Sequence, residues 1–127
     1  MLRPSASAEV DRGSTSLTTV LLTPVFLVVG LMAFQAALWS HARTEARVLA
    51  RNSAALVARS HADSSATEVA TLAMLRTDTD IRDAHVVIVV SGDLVQARIT
   101  GRAPGMIRGT SMGVDVVEAV PREGFRP

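Results

Sequence analysis

Residues 17–39 read LTTVLLTPVFLVVGLMAFQAALW, and no charged residue falls between Arg12 and His41, an interval of 28 residues. About 20 apolar residues suffice to cross the hydrocarbon of a bilayer. One Arg or Asp placed at mid-membrane costs roughly 2.5–3.5 kcal/mol on insertion scales, so an uncharged run of this length is a strong membrane signal. A lone segment in lipid satisfies its backbone hydrogen bonds only as a helix. The reading is therefore one transmembrane helix close to the N-terminus, residues 14–40, with the rest of the chain on its C-terminal side. The competing reading is a buried helix of a soluble domain, but such helices are shorter and broken by polar residues.

Outside this run the chain is small. Of 127 residues, those from 40 onward suffice for one domain and not two. Aromatic residues make up only 3%, so a soluble core must be built from Val, Leu, Ile and Ala. Such a core is marginal alone and calls for a partner or a lattice of copies. The basic residues are all Arg. Setting aside Arg3, Arg12, Glu9 and Asp11, the chain beyond the run carries 11 Arg against 10 Asp and Glu. That balance argues against a nucleic-acid partner, which demands a strongly basic face. With no Cys there is no disulfide, thiolate nucleophile or thiolate metal site.

Ahead of the run, MLRPSASAEVDRG (residues 1–13) is polar and rich in small residues, and reads as a disordered leader. Within the run, Pro24 cannot donate to the carbonyl of Val20 and its ring pushes that carbonyl away, which predicts a kink. The hydroxyls of Thr18, Thr19 and Thr23 are near enough to satisfy backbone groups freed there.

The segment RGSTSLTTVLLTP (residues 12–24) resembles the opening of TadE-like proteins, the pseudopilins of tight-adherence (Tad, Flp-type) pilus systems. Their pattern is a Gly, small residues, a Glu five positions on, and a Pro six positions after that. Gly13 fits, and Pro24 falls eleven positions after it. Thr18 stands where the pattern has Glu. In pilin-like proteins that Glu pairs with the free N-terminal amine of a neighbouring subunit. Thr18 has no charge to offer, which suits a subunit at a filament end, or one that never polymerises, better than one in the filament core. The resemblance implies cleavage by a prepilin peptidase between Gly13 and Ser14, with the apolar helix kept in the mature protein. It also implies membrane lipid and other Tad pilus or pseudopilin subunits as partners, no cofactor and no enzymatic activity.

Two observations compete with it. Ser40-His41-Ala42 is a small-x-small site for ordinary signal peptidase, which would release a secreted effector beginning at Arg43. Secretory apolar regions, however, run to only about 7–15 residues. Arg43, Arg47, Arg51 and Arg59 follow the run, against Arg3 and Arg12 before it, so the positive-inside rule taken alone puts the C-terminal region in the cytoplasm. That favours a single-span membrane protein with a binding module unrelated to pili. The resemblance implies the opposite topology, with the C-terminal region outside the cytoplasm.

Beyond Trp39, at a position suited to the bilayer interface, residues 41–76 lack Pro and Gly and read as a helical extension. Ala42, Ala46, Ala50 and Ala54 lie four apart and form one narrow ridge. One reading is an Ala-rich helix with a solvated basic face. The sharper reading is a packing face for helices of neighbouring subunits, since small residues permit close approach. Asp63-Ser64-Ser65 is placed to break this extension and cap a second helix running from about Ala66 to Arg76.

From residue 77 to 127 the pattern is that of a small antiparallel β region. TDTDIRD (77–83) reads as a loop and VVIVV (86–90) as a strand. Ser91-Gly92-Asp93 is a tight turn, 94–100 an alternating strand, 101–113 a Gly-rich loop, and 114–120 a third strand. The fold class is α+β. An N-terminal helix, Val-rich strands and a closing Pro121-Arg122-Glu123 also resemble the TadE-like order. Candidate chemistry is thin. Gly109-Thr110-Ser111-Met112-Gly113 matches G-x-S-x-G but lacks the strand–Ser–helix setting that motif needs. His41, His61 and His85 match no zinc spacing.

Overall fold

The computed structural model describes residues 7–122 and 124, with side chains from Ser16 onward. Two helices precede three strands: α1 (Ser7–Ser60), α2 (Ser64–Asp78), β1 (Arg82–Ser91), β2 (Leu94–Ala103) and β3 (Met112–Pro121). The strands form one antiparallel sheet in the order β1-β2-β3. This is the α+β layout expected from the sequence. The chain divides into two compact units, Met1–Phe34 and Gln35–Pro127.

Within the first unit, helical backbone begins at Ser7. The part of the leader from Ser7 to Gly13, expected to be irregular, is thus helical; its first six residues lie outside the described residues. The helix runs on through Pro24, and Thr23 Oγ1 donates to the carbonyl of Thr19 at 2.7 Å. The expected kink therefore does not end the helix.

In the second unit, α1 stops at Ser60 because His61 turns into the left-handed region with φ 49°. Asp63 then caps α2. Its side chain accepts from Ala66 N at 3.0 Å and from Ser65 Oγ at 2.6 Å, satisfying a donor that the first helical turn leaves open. The break falls where the sequence placed it; α2 runs two residues further than Arg76.

Alternation fixes the two faces of the sheet. Val95, Ala97 and Ile99 of β2 face inward with Val114 and Val116 of β3 and Ile88 of β1. The hairpin between β1 and β2 closes on Gly92, whose φ of 57° costs glycine nothing. Near its other end β1 holds one extra residue: Arg82 pairs with Arg102 but His85 with Thr100. This bulge contains Asp83 at φ 52°.

The residues of α1 from 35 to 60 cover the inner face. Ala42, Ala46, Ala50, Ala54, Val57 and Ala58 are buried in one core with the inward strand residues. The Ala ridge does pack closely, but onto this chain's own sheet. The sharper expectation, a face left for neighbouring subunits, is corrected accordingly: Ala46, Ala50 and Ala54 have no exposed surface left to offer. The four flanking arginines are exposed, as the solvated-face reading had it.

Helix α2 lies along β1. Thr67, Thr71 and Leu75 are its buried residues. Glu68 Oε1 accepts a hydrogen bond from Ile88 N at 2.6 Å, so a backbone donor on the outer edge of β1 is answered by a side chain. Exposed strand edges invite pairing with other chains, and this contact blunts one of them.

Candidate functional site

The two ends of the apolar stretch differ in what they touch. In the first unit, every large apolar side chain from Leu17 to Phe34 except the half-buried Leu31 is at least 45% exposed, Phe26 as much as 70%. Five consecutive residues, Val25 to Val29, are all in that state. Because 100° separates neighbours on a helix, a run of five leaves no side covered. Eighteen helical residues span about 27 Å, close to the roughly 30 Å of bilayer hydrocarbon. Among the described residues this is the one helix long and apolar enough to cross a membrane.

Gln35 opens the second unit, and it is the one amide within the apolar run. Its Oε1 accepts from Met106 N at 3.0 Å, and its Nε2 donates to Thr110 Oγ1 at 2.9 Å. One side chain thereby clamps both arms of the turn at 106–110, which also closes on itself through Thr110 N to the Ile107 carbonyl at 3.1 Å. Gly105 is required here: a Cβ would stand 2.4 Å from Thr110 Oγ1 and 2.8 Å from its carbonyl carbon.

The next residues at four-residue spacing continue the attachment. Trp39 Nε1 donates to the Gly113 carbonyl at 3.0 Å. The Arg43 guanidinium lies over the Trp39 ring, 5.3 Å from its centroid. Arg47 Nε pairs with Glu118 at 3.2 Å. Gln35, Trp39 and Arg47 thus follow the chain from the 106–110 turn along β3. The sequence reading missed this stripe. Its one available signal was Gln35, a polar amide in an otherwise oily segment.

The sequence-predicted residues fall as follows. Gly13 and Ser14 lie in helical backbone, with side chains outside the described residues. Pro24 is inside α1, and the Ala ridge is core. Ser111 of the G-x-S-x-G match is exposed in the loop before β3, with a strand after it rather than a helix, so the elbow geometry of a nucleophile is missing. The three imidazoles are apart. His41 pairs with Glu45 at 3.2 Å, His61 accepts from Arg122, and His85 Nδ1 meets the Asp83 carbonyl at 3.0 Å. Among the described residues no three His, Cys, Asp or Glu side chains are grouped to hold a metal ion.

Two carboxylates are tuned, both by local partners. Asp63 is held below its ordinary value by the Ser65 hydroxyl first and the Ala66 N–H second. Asp115 is lowered chiefly by hydrogen bonds from Arg98, which grips it bidentately on the outer face of the sheet, with Nε to Oδ1 at 3.0 Å. These are surface pairings of a structural kind.

No protein-family model, curated protein or solved structure matches the chain.

Proposed function

We propose that this chain is a membrane-anchored, TadE-like pseudopilin: a non-enzymatic structural or accessory component of a Tad-type pilus or related secretion apparatus. The observation that carries the reading is the bare apolar helix. Residues 17–34 present apolar side chains on every side of the helix, all of them exposed but the half-buried Leu31. Lipid is the solvent that removes that cost. The spacing of Gly13 and Pro24, and the order of helix then Val-rich antiparallel sheet, support the pseudopilin reading over a generic anchor. In this proposal the prepilin peptidase cuts between Gly13 and Ser14, the helix stays in the membrane, and the sheet unit lies outside the cytoplasm. With the Ala ridge used internally, the side of α1 that carries exposed Val48 and Leu56 is the one free to meet other pilus subunits.

The mature N-terminus tests this. Mass spectrometry of the membrane-extracted protein, from cells with an active prepilin peptidase, is expected to find a chain beginning at Ser14. A chain that keeps Met1 sinks the proposal. Release after Ala42 fits the fold poorly, because that cut falls at a buried residue and removes Gln35 and Trp39 from their partners.

A second reading, a single-span protein whose C-terminal module binds partners in the cytoplasm, is favoured by the four-arginine flank. Arg43 and Arg47 are engaged with Trp39 and Glu118, which gives both a structural use beyond topology. A C-terminal alkaline phosphatase fusion, active only outside the cytoplasm, separates the two.

A further inference from the structure

We infer that the loop at 104–111 is a lipid-contacting element, with Met106 and Ile107 entering the boundary between headgroups and acyl chains and Arg82, Arg102 and Arg108 holding the phosphates of an anionic bilayer surface. The inference rests on the reading of residues 17–34 as membrane-spanning and extends it to a second contact.

Three independent observations meet here. The first is chain continuity. The loop is hydrogen-bonded to Gln35 through Met106 N and Thr110, and Gln35 is the residue after Phe34. Whatever the angle between the two units, a group bonded to Gln35 is one residue along the chain from the end of the apolar stretch. If that stretch fills the hydrocarbon, the loop is at the headgroup level.

The second is the composition of the tip. Met106 and Ile107 are 56% and 54% exposed at the head of a turn whose shape is fixed by Gly105, by Gly109 at φ 91° and by the Gln35 clamp. A pinned turn that exposes two adjacent large apolar side chains presents them to something other than water.

The third is charge. A surface cleft of about 380 Å³ is lined by Arg82, Arg102 and Arg108 together with Asp83 and Ser111. Arg82 and Arg102 face each other across β1 and β2, a like-charge pairing that disfavours the sheet by itself. Among the described residues none of the three arginines forms an ion pair, with Asp83 or any other carboxylate. A phosphate between them relieves the repulsion, and guanidinium suits phosphate well. Juxtamembrane arginines contribute to attraction toward anionic lipid in the same way.

The absence of Cys makes a clean test with single spin labels on the full chain in bilayer nanodiscs. The discs contain phosphatidylcholine, alone or mixed with phosphatidylglycerol. Labels are placed at Ile107→Cys, at Ser91→Cys on the opposite end of the β1–β2 hairpin, and at Phe26→Cys in the apolar stretch. Relaxation by dissolved oxygen against a water-soluble nickel chelate reads depth. The label at 107 is expected to be lipid-facing in the anionic discs, while that at 91 stays in water. Arg102→Gln and Arg108→Gln are each expected to lower the ratio of lipid-facing to water-facing label about fivefold. If 107 is as wet as 91 in both lipids while 26 is lipid-buried, the inference is wrong and the anchor stands. If 26 itself is wet, the anchor reading has failed. Insertion of 107 that is indifferent to phosphatidylglycerol and to both arginine changes overturns the phosphate assignment.

Discussion

Ser53 and Thr71 make the polar contact buried between the two helices, 2.7 Å apart. Ser53 already donates its one hydroxyl hydrogen to the Leu49 carbonyl at 2.7 Å, so Thr71 is the donor and Ser53 the acceptor. Removing the acceptor with Ser53→Ala leaves a buried donor unmet and is expected to cost about 1–3 kcal/mol in urea unfolding. The double change Ser53→Ala with Thr71→Val removes both partners, and is expected to cost less than the two single changes added together. Gly101 is constrained differently. A Cβ there would stand 2.5 Å from Ile81 Cγ2 and 3.1 Å from the Arg82 carbonyl, so Gly101→Ala is expected to lose about 1–3 kcal/mol by overpacking.

Asp63 sets a pH dependence at this same scale. Its carboxyl is lowered from 3.8 in the folded chain, first by Ser65 and then by Ala66. A depressed carboxylate contributes stability that is full above the unfolded value and fades as pH falls through the folded one. Stability is therefore expected to drop below about pH 4, and Asp63→Asn, which keeps an acceptor but cannot titrate, to flatten part of that drop. Acid titrations of the two proteins, followed by circular dichroism, check this.

At the level of elements, the edge of β1 depends on Glu68. Truncation to Glu68→Ala frees Ile88 N–H and is expected to cost about 1.5–3 kcal/mol, the range for a hydrogen bond to a charged group. Hydrogen exchange at Ile88 should accelerate while exchange at Ile99 in the central strand changes little.

The elements themselves were largely readable from local chemistry. Gly92 named the hairpin, alternation named β2, and Asp63 named the helix break. What escaped reading depends on distant partners. Arg82 and Asp83 look like the end of a loop, yet they belong to β1, and Arg82 pairs with Arg102 of β2 because Gly101 lets Ile81 and the Arg82 backbone come close. VVIVV has no polar partner positions to say which face is inward; only the pairing of Ile88 with Ala97 decides it. The Ala ridge was visible, but its destination was not, since small residues suit a sheet as well as a second helix. The Gln35 clamp joins groups about seventy residues apart, and no short window of sequence contains both ends.

Over the whole chain, Met1–Phe34 and Gln35–Pro127 are compact in themselves, and among the described residues the buried core belongs to the second. A chain starting at Gln35 is accordingly expected to fold cooperatively in water without detergent, with far-ultraviolet circular dichroism showing both helix and sheet. The full chain should need lipid or detergent to remain dispersed. The core limits how stable that fragment can be. Leu75, Ile99 and Val95 are its largest fully buried side chains, and Leu75→Ala, at about 2–5 kcal/mol, is expected to bring the fragment near its unfolding threshold.

Trp39 gives this molecule a built-in reporter. It is the only tryptophan, and there is no tyrosine, so ultraviolet emission comes from one ring, with its nitrogen on Gly113 and a guanidinium across its face. When β3 lets go of the helix, that emission changes at once, whatever the other two strands are doing. A glow that shifts before the bulk secondary structure is lost would mark β3 as the first strand to peel away.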